Sequence, residues 1–198
     1  LRGSFRMPTV WLQAVIVVCA YVGYKATDDF SLLAHDALGF DDVAAAGIGT
    51  LSFWTRAVVA VGARYLADRV DSSRVIVWGF AIHVVGSVLI ASGTLIPGVA
   101  WMLISTMVAT SVGFYAVRGV YFALLAEGRV PLAFTGSAIG VVSLVGFTPD
   151  VFMGPLMGVL LDNSPGVPGH QHFFWAVAAF GVVGLIAAIT FRRVATRT

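Results

Sequence analysis

The sequence predicts an all-α membrane protein, and three observations predict it. Hydrophobic residues make up 59% of the 198 and charged residues only 11%, at a mean hydropathy of +0.92. Soluble domains carry about a quarter charged residues, so this chain lacks the polar groups to cover its surface in water, and the lipid bilayer is its expected partner. Six stretches are long enough to cross a hydrocarbon core of about 30 Å, which takes roughly 20 helical residues. The basic residues gather in alternate connections between those stretches.

In chain order the stretches run from Pro8 to His35, Val43 to Leu66, Val75 to Ile96, Gly98 to Leu125, Leu132 to Leu161 and Phe173 to Phe191. The first has a polar interruption; Gly, Pro, Asp or Asn punctuates most junctions. Nine of the 12 Lys and Arg residues lie on one side of this map: Arg2, Arg6, Arg64, Arg69, Arg74, Arg129, Arg192, Arg193 and Arg197. The opposite connections, His35–Asp42, the turn around Pro97 and Asp162–His172, contain none. The positive-inside rule therefore places both termini in the cytoplasm of an inner membrane. Trp11, Trp78, Trp101 and Trp175 stand near span ends, where an amphipathic ring prefers the interface, and Trp54 stands midway along the second span.

The remaining cations, Lys25, Arg56 and Arg118, fall inside spans, where an ionisable side chain costs about 2.5–3.5 kcal/mol and faces protein or water. Lys25 precedes Asp28 and Asp29 by three and four residues, a spacing that lets all three meet on one helix face. They read either as the polar wall of a substrate cavity or as a self-neutralised cluster near the outer mouth. Arg56 lies about 20 Å from the outer end of its span, out of snorkelling range; it offers an anion-binding fork, with Trp54 close by to stack on a ligand or on the guanidinium. Arg118 shares a face with Phe114, Tyr121 and Phe122 and is near enough to the cytoplasmic end to snorkel. Lys25, Trp54, Arg56, Arg118 and Tyr121 are thus the candidate substrate-binding residues. Asp28, Asp29 and Asp150 are the candidates for carrying coupling charge. Asp28 and Asp29 are local to Lys25, and Asp150 and Arg118 lie toward opposite membrane faces, which leaves an arginine free for an anion. His83, alone in the third span, reads as a hydrogen bond between helices.

The fifth span carries Gly136, Gly140, Ser143, Phe147, Gly154 and Gly158 on one helical stripe, with two GxxxG pairs, where another helix can approach closely. Pro149 and Pro155 free backbone carbonyls and invite a bend.

Other chemistries find little support. The single cysteine, Cys19, sits in an apolar run, so neither a disulfide framework nor a metal centre is expected. No GxxxxGK[ST] phosphate loop occurs, the basic residues mark topology rather than a nucleic-acid surface, and no cofactor is implied. An intramembrane serine protease would need Ser143 and His83 as its pair, and Ser143 lacks the glycine setting of such a nucleophile. A channel-like bundle without a transport cycle is the other alternative.

The connection between the second and third spans reads Arg64-Tyr65-Leu66-Ala67-Asp68-Arg69-Val70-Asp71-Ser72-Ser73-Arg74. It resembles the G-x-L-A-D-R-x-G-R-R loop of the major facilitator superfamily. Leu66, Ala67, Asp68 and Arg69 match, Arg64 and Asp71 replace glycines, and Ser72-Ser73 replace basic residues. Arg118–Gly128 and Gly146–Asp150 look like a bacterial branch loosely grouped with nitrate and organic-anion carriers. The resemblance implies spans seven to twelve of a twelve-span secondary transporter, residues 1–198 being the C-terminal half. That half would be two inverted three-helix repeats, residues 8–96 and 98–191. It implies that the first and fourth spans line a cavity, that the second and fifth pack on an N-terminal six-span half, and that the third and sixth sit outside. Asp68 and Arg69 would belong to a gating loop. The function implied is symport or antiport of a small polar solute, an organic or inorganic anion, by alternating access, without enzymatic chemistry. The chain opens on Leu1-Arg2-Gly3 rather than on methionine, which fits a piece of a longer protein.

The arginine asymmetry predicts that Asp162–His172 faces outside and Asp68–Arg74 inside. In intact cells an impermeant thiol reagent is expected to label Ser164→Cys and to spare Ser72→Cys; the reverse pattern would overturn the orientation.

Overall fold

The computed structural model describes residues 7–94 and 99–195. Arg2, Arg6 and Arg197, the turn at Pro97 and the span limits at Ile96 and Gly98 lie outside the described residues.

Six helical spans are present, each long and apolar enough to cross a membrane. The first is α1 (Pro8–Lys25), a 3₁₀ turn (Ala26–Asp29) and α2 (Phe30–Leu38). Pro8 opens it, where a missing N–H costs nothing, and Gly39 closes it in the left-handed conformation with its N–H on the His35 carbonyl. The second is α3 (Asp42–Ala67), capped by the Asp41 carboxylate, which accepts from the Ala44 N–H. The third is α4 (Ser72–Ala91). The fourth is α5 (Ala100–Val120), a 3₁₀ turn (Tyr121–Ala123) and the short α6 (Leu124–Glu127). The fifth is α7 (Leu132–Gly146) and α8 (Pro149–Asn163), and the sixth is α9 (Val167–Ala195).

Three spans break, and each break has a local cause. At the first, the Thr27 hydroxyl bonds the Tyr24 carbonyl at 2.7 Å and draws it out of the α-ladder. In the fourth, the Gln13 amide reaches across from the first span and donates to the Tyr121 carbonyl at 2.9 Å. In the fifth, Pro149 has no N–H to give Val145, and the Thr148 hydroxyl takes that carbonyl at 2.8 Å.

The spans pack as two triplets. The fourth lies against the second and third, the first against the fifth and sixth, the third and sixth against each other, and the first and fourth touch. Exchanging spans one to three with spans four to six maps these pairings onto themselves, while the contact between the first and second spans has no like counterpart between the fourth and fifth. The 3₁₀ breaks obey the same exchange. Each lies well past the middle of a triplet's first helix, and because those helices run in opposite directions the breaks lie toward opposite ends of the bundle. Thr9, Gly128 and Phe191 meet at one end, the end of both described termini, while Gly93 and Gln171 meet at the far end.

His83 is the hub of the packing. It is wholly buried, and a Cβ on Gly23, Gly113 or Gly181 would lie 3.1, 2.7 or 2.9 Å from it. The fourth span therefore closes on the backbone of the third at Gly113, and the first and sixth close on the His83 ring at Gly23 and Gly181. His83 makes no bond between helices, contrary to expectation: its Nδ1 faces Ser87 one turn along the same helix at 3.4 Å, and its Nε2 has no partner. The ring is enclosed by glycines and Phe114, which offer it no side-chain hydrogen-bond partner.

The glycines of the fifth span behave oppositely. A Cβ at Gly136, Gly140, Gly154 or Gly158 would meet nothing within 4 Å; only Gly146 is tightly packed, against Val17. The second and fifth spans are the least buried of the six. Leu51, Trp54, Val58, Val61 and Tyr65 run down the exposed face of the second at alternating three- and four-residue spacing. The third span also bares an apolar stripe, Trp78, Ile82, Val85 and Leu89, on the side away from the hub.

At the termini end, Glu127 accepts from the Ser73 N–H through both carboxylate oxygens, at 3.1 and 3.2 Å, and so caps α4 with a negative charge. Ser72 is buried beside it, which makes the exposed Asp71 the better position for a labelling cysteine in this connection. Arg69 folds back onto Tyr65 of its own helix, with its guanidinium 4.5 Å from the ring centroid and a hydrogen bond to the hydroxyl. The Asp68 N–H bonds the Arg64 carbonyl and closes α3.

Gly113→Ala is expected to destabilise the protein by about 1–3 kcal/mol or more, because its Cβ would meet backbone atoms of Gly79 and His83 that cannot yield. Gly136→Ala is expected to leave the stability of this bundle unchanged. Thermal unfolding in detergent, followed by circular dichroism, checks the contrast; equal melting temperatures for the two variants would remove the hub.

Candidate functional site

The polar residues of four spans converge about halfway along the bundle, around two tyrosines of α1. Tyr21 and Tyr24 are half-buried, their ring centroids 5.4 Å apart. The Arg118 guanidinium sits 4.0 Å from the Tyr24 centroid and 5.1 Å from that of Tyr21. Arg56 approaches the Tyr24 ring at 5.6 Å. Cation–π contacts of this kind are worth about 0.5–2 kcal/mol, and they give two arginines a place inside the spans without a carboxylate for either. Arg118 does not snorkel: its Nη1 is buried and has no hydrogen-bond partner. An unsatisfied buried donor costs about 1–3 kcal/mol, more when charged, so the guanidinium keeps an unspent bond pointed into the protein. Tyr115, from the same span, backs Tyr24 at 6.4 Å and meets Ser52 of the second span at 3.3 Å.

Lys25 lies one residue on. Its ammonium is 2.5 Å from Asp28 and 3.9 Å from Asp150 of α8. The Tyr21 hydroxyl donates to the other oxygen of Asp150 at 2.9 Å. Asp150 is thus held by a lysine and a tyrosine, and no arginine pairs with it. Phe147, at the break of the fifth span, packs on Tyr21 with centroids 5.1 Å apart. Lys25, Asp28 and Asp150 line a small recess of about 70 Å³ with Met153, Gly154 and Met157. Asp28 and Asp150 are 42% and 52% exposed, so the cluster is open on the side where the second and fifth spans bare their faces.

Several expectations from sequence are corrected here. Asp29 does not join Lys25. The 3₁₀ turn has about 120° per residue, so Asp28 at i+3 eclipses Lys25 and Asp29 at i+4 swings a third of a turn away. It is buried instead against His170, whose Nδ1 lies 2.8 Å from it. Trp54 does not stack on Arg56. Two residues apart on a helix, the two side chains diverge by about 200°; Trp54 is on the exposed face and Arg56 turns to Tyr24. Tyr121 is buried at the 3₁₀ break with Phe122 edge-on to it, while Phe114 turns into the hub against His83, so the aromatic face read from the fourth span is divided.

Tyr21, Tyr24 and Tyr115 had weaker signals than the charges they serve, and His170 had none. The apolar run of the sixth span begins at Phe173, which places His170 in an external loop, yet α9 starts six residues earlier. Among the described residues no cluster of His, Cys, Asp and Glu is arranged to hold a metal ion.

No family model matches the chain, and no solved structure does. Two curated proteins of Escherichia coli strain K12 are similar to part of it. "Inner membrane protein YqcE" is 34% identical over 83 residues, 41% of this chain and 20% of the relative. "Inner membrane protein YihN" is 32% identical over 85 residues, again 41% of this chain and 20% of the relative. The match therefore spans about a fifth of each relative; 83 residues as 20% put the first at about 415 residues, roughly twice the 198 here. With six membrane-length helices and relatives named for the bacterial inner membrane, the chain is an all-α membrane protein.

Proposed function

We propose that this chain is six spans of a larger secondary transporter of the inner membrane, and that it carries a small anionic solute by alternating access. The observation that carries the reading is Arg118: a guanidinium inside the bundle, seated on aromatic faces, with a buried N–H that nothing among the described residues accepts. Arg56 and Lys25 stand in the same cluster, and the carboxylates Asp28 and Asp150 both lie on Lys25. The cluster thus holds three cations against two anions. A carboxylate, nitrate or phosphate group supplies what is missing, since guanidinium forks pair with planar oxyanions in two parallel hydrogen bonds.

The surroundings favour transport over static binding. The cluster is built by the first, second, fourth and fifth spans, and three of those four are broken close to it, where backbone can bend. It lies open beside the barest spans, with an open glycine stripe on one and an apolar seam on the other. The remainder of a protein of about twice this length, packed on those faces, closes the cavity. The resemblance of the Leu66–Arg69 loop to that of the major facilitator superfamily fits this arrangement, with both termini cytoplasmic by the arginine asymmetry. We favour transport over the enzymatic alternative because His83 makes no hydrogen bond to Ser143 among the described residues: one ring nitrogen faces Ser87 and the other has no partner there.

The test is uptake by the full-length protein in proteoliposomes. Arg118→Lys keeps the charge and loses the fork, and a lost charge-assisted bond of about 1.5–3 kcal/mol raises KM roughly 10- to 100-fold with expression unchanged. Arg56→Lys is expected to act in the same direction, and Asp150→Asn to lower turnover by weakening the tie between Lys25 and the fifth span, Lys25 keeping Asp28. Parental uptake from all three variants would make these charges structural, and ohmic current in place of counterflow would make the bundle a pore.

A further inference from the structure

At the far end of the bundle a second polar cluster joins the first and sixth spans. His170, in the first turn of α9, is wholly buried between two carboxylates. Its Nδ1 lies 2.8 Å from both oxygens of Asp29, whose side chain is also fully buried, and its Nε2 lies 3.1 Å from Asp36 Oδ2. The other oxygen of Asp36 is 3.0 Å from Nδ1 of His35, whose side chain is half exposed. The four groups form a line of hydrogen-bond contacts from a sealed interior to the surface.

We infer that Asp29, His170 and Asp36 form a proton-binding site, filled from solvent at the far end through Asp36 and His35, that fastens the first span to the sixth. The argument is a count of protons. Ionised carboxylates only accept, and a neutral imidazole has one N–H. Two N···O contacts on opposite ring nitrogens need two protons, so the closed arrangement holds one proton more than a neutral ring supplies. Imidazole is a stronger base than carboxylate, which places that proton on the ring: the closed state is an imidazolium bonded to both aspartates. Filling the site moves one proton from hydronium at the surface to His170, leaves water behind, and lowers the cluster's charge from −2 to −1. Without it, a bare ring nitrogen faces a carboxylate lone pair with no water between them, and that contact repels. Asp36 is the aspartate that yields, since a quarter of its side chain already meets solvent while Asp29 has none to turn to.

A metal ion does not fit the place. The two carboxylates bind opposite nitrogens and do not converge on one point. The charged groups that act on the cluster are its own three members, His35 of the first span and, on His35, Asp42 of the second; among the described residues neither the third nor the fifth span adds one.

The site meets the candidate anion site at one backbone turn. Asp28 and Asp29 are neighbours in the 3₁₀ segment, one bound to Lys25 and the other to His170. Proton loss frees Asp36 of α2 from α9 while Asp29 keeps its bond to His170, so the released helix pivots on the turn that holds Asp28 against Lys25. This last link rests on the transport reading; the proton site itself does not.

The experiment uses full-length protein in lipid nanodiscs, with ¹⁵N-histidine NMR and a spin-label distance between Leu38→Cys and Val167→Cys, scanned between about pH 5 and 9. At the acid end His170 is expected to carry protons on both nitrogens, and at the alkaline end on one. The Leu38–Val167 distance is expected to lengthen over the same interval. Asp36→Asn retains an oxygen to accept from Nε2–H, so it folds; it is expected to abolish the pH dependence of the distance. His170→Gln is expected to do the same, and Asp36→Asn keeps the test intact if that variant does not fold. A ring singly protonated across the whole range, or a distance that ignores pH in the parent, overturns the proposal. Neither readout uses solute, so an anion site refuted by Arg118→Lys uptake leaves this result standing, and the reverse holds too.

Discussion

One tightened turn of backbone sends two neighbouring aspartates in different directions, and both polar clusters of this protein depend on it. In a continuous α-helix Asp28 and Asp29 would both lie on the face of Lys25. The Thr27 hydroxyl takes the Tyr24 carbonyl, the helix narrows to three residues per turn, and Asp29 leaves that face for the sixth span. Lipid makes such a turn consequential. Each carboxylate inside the spans needs a protein partner, because there is no water to serve instead. Asp28 finds a lysine, and Asp29 finds a histidine 141 residues away.

The packing that holds those partners in place comes from small residues rather than from a hydrophobic drive, which lipid does not provide. Gly23, Gly113 and Gly181 bring three spans onto His83 so closely that a methyl group collides with it at Gly113 and Gly181 and crowds it at Gly23. Among the described residues His83 makes no hydrogen bond between helices. The charged cluster sits on the other side of the first and fourth spans, among aromatic rings, where broken helices and open glycines leave room to move. Packed hub and charged cluster are thus separated across the same two helices, each of which serves the hub with one face and the polar cluster with the other.

Arg118 carries a cost in folding that the proposed function would put to use. Tyrosine faces offset part of the burial of its charge, and the N–H left over is a standing penalty that the proposed oxyanion would remove. Asp150 is held away from it by Lys25 and Tyr21, so the guanidinium is not quenched from within. Three of the charges read as binding residues do come together, and aromatic rings drawn from three spans make that possible.

By itself the sequence determined the all-helical class, the six spans and most of their limits. A run of about 20 apolar residues in lipid has one stable backbone form, and that constraint is local. It also determined that Lys25, Arg56, Arg118 and Asp150 matter, because a charge within such a run is expensive wherever it ends up. Partnership was decided only by the tertiary structure. Which aspartate meets Lys25 depends on a hydroxyl that tightens one turn, and which ring holds Arg56 depends on which face of its helix turns inward. His170 was invisible in the sequence because its two partners stand 141 and 134 residues away. The glycine stripe of the fifth span looked like a packing surface, and within this bundle it meets nothing, because a small-residue pattern encodes how closely a helix can approach but not which helix does so.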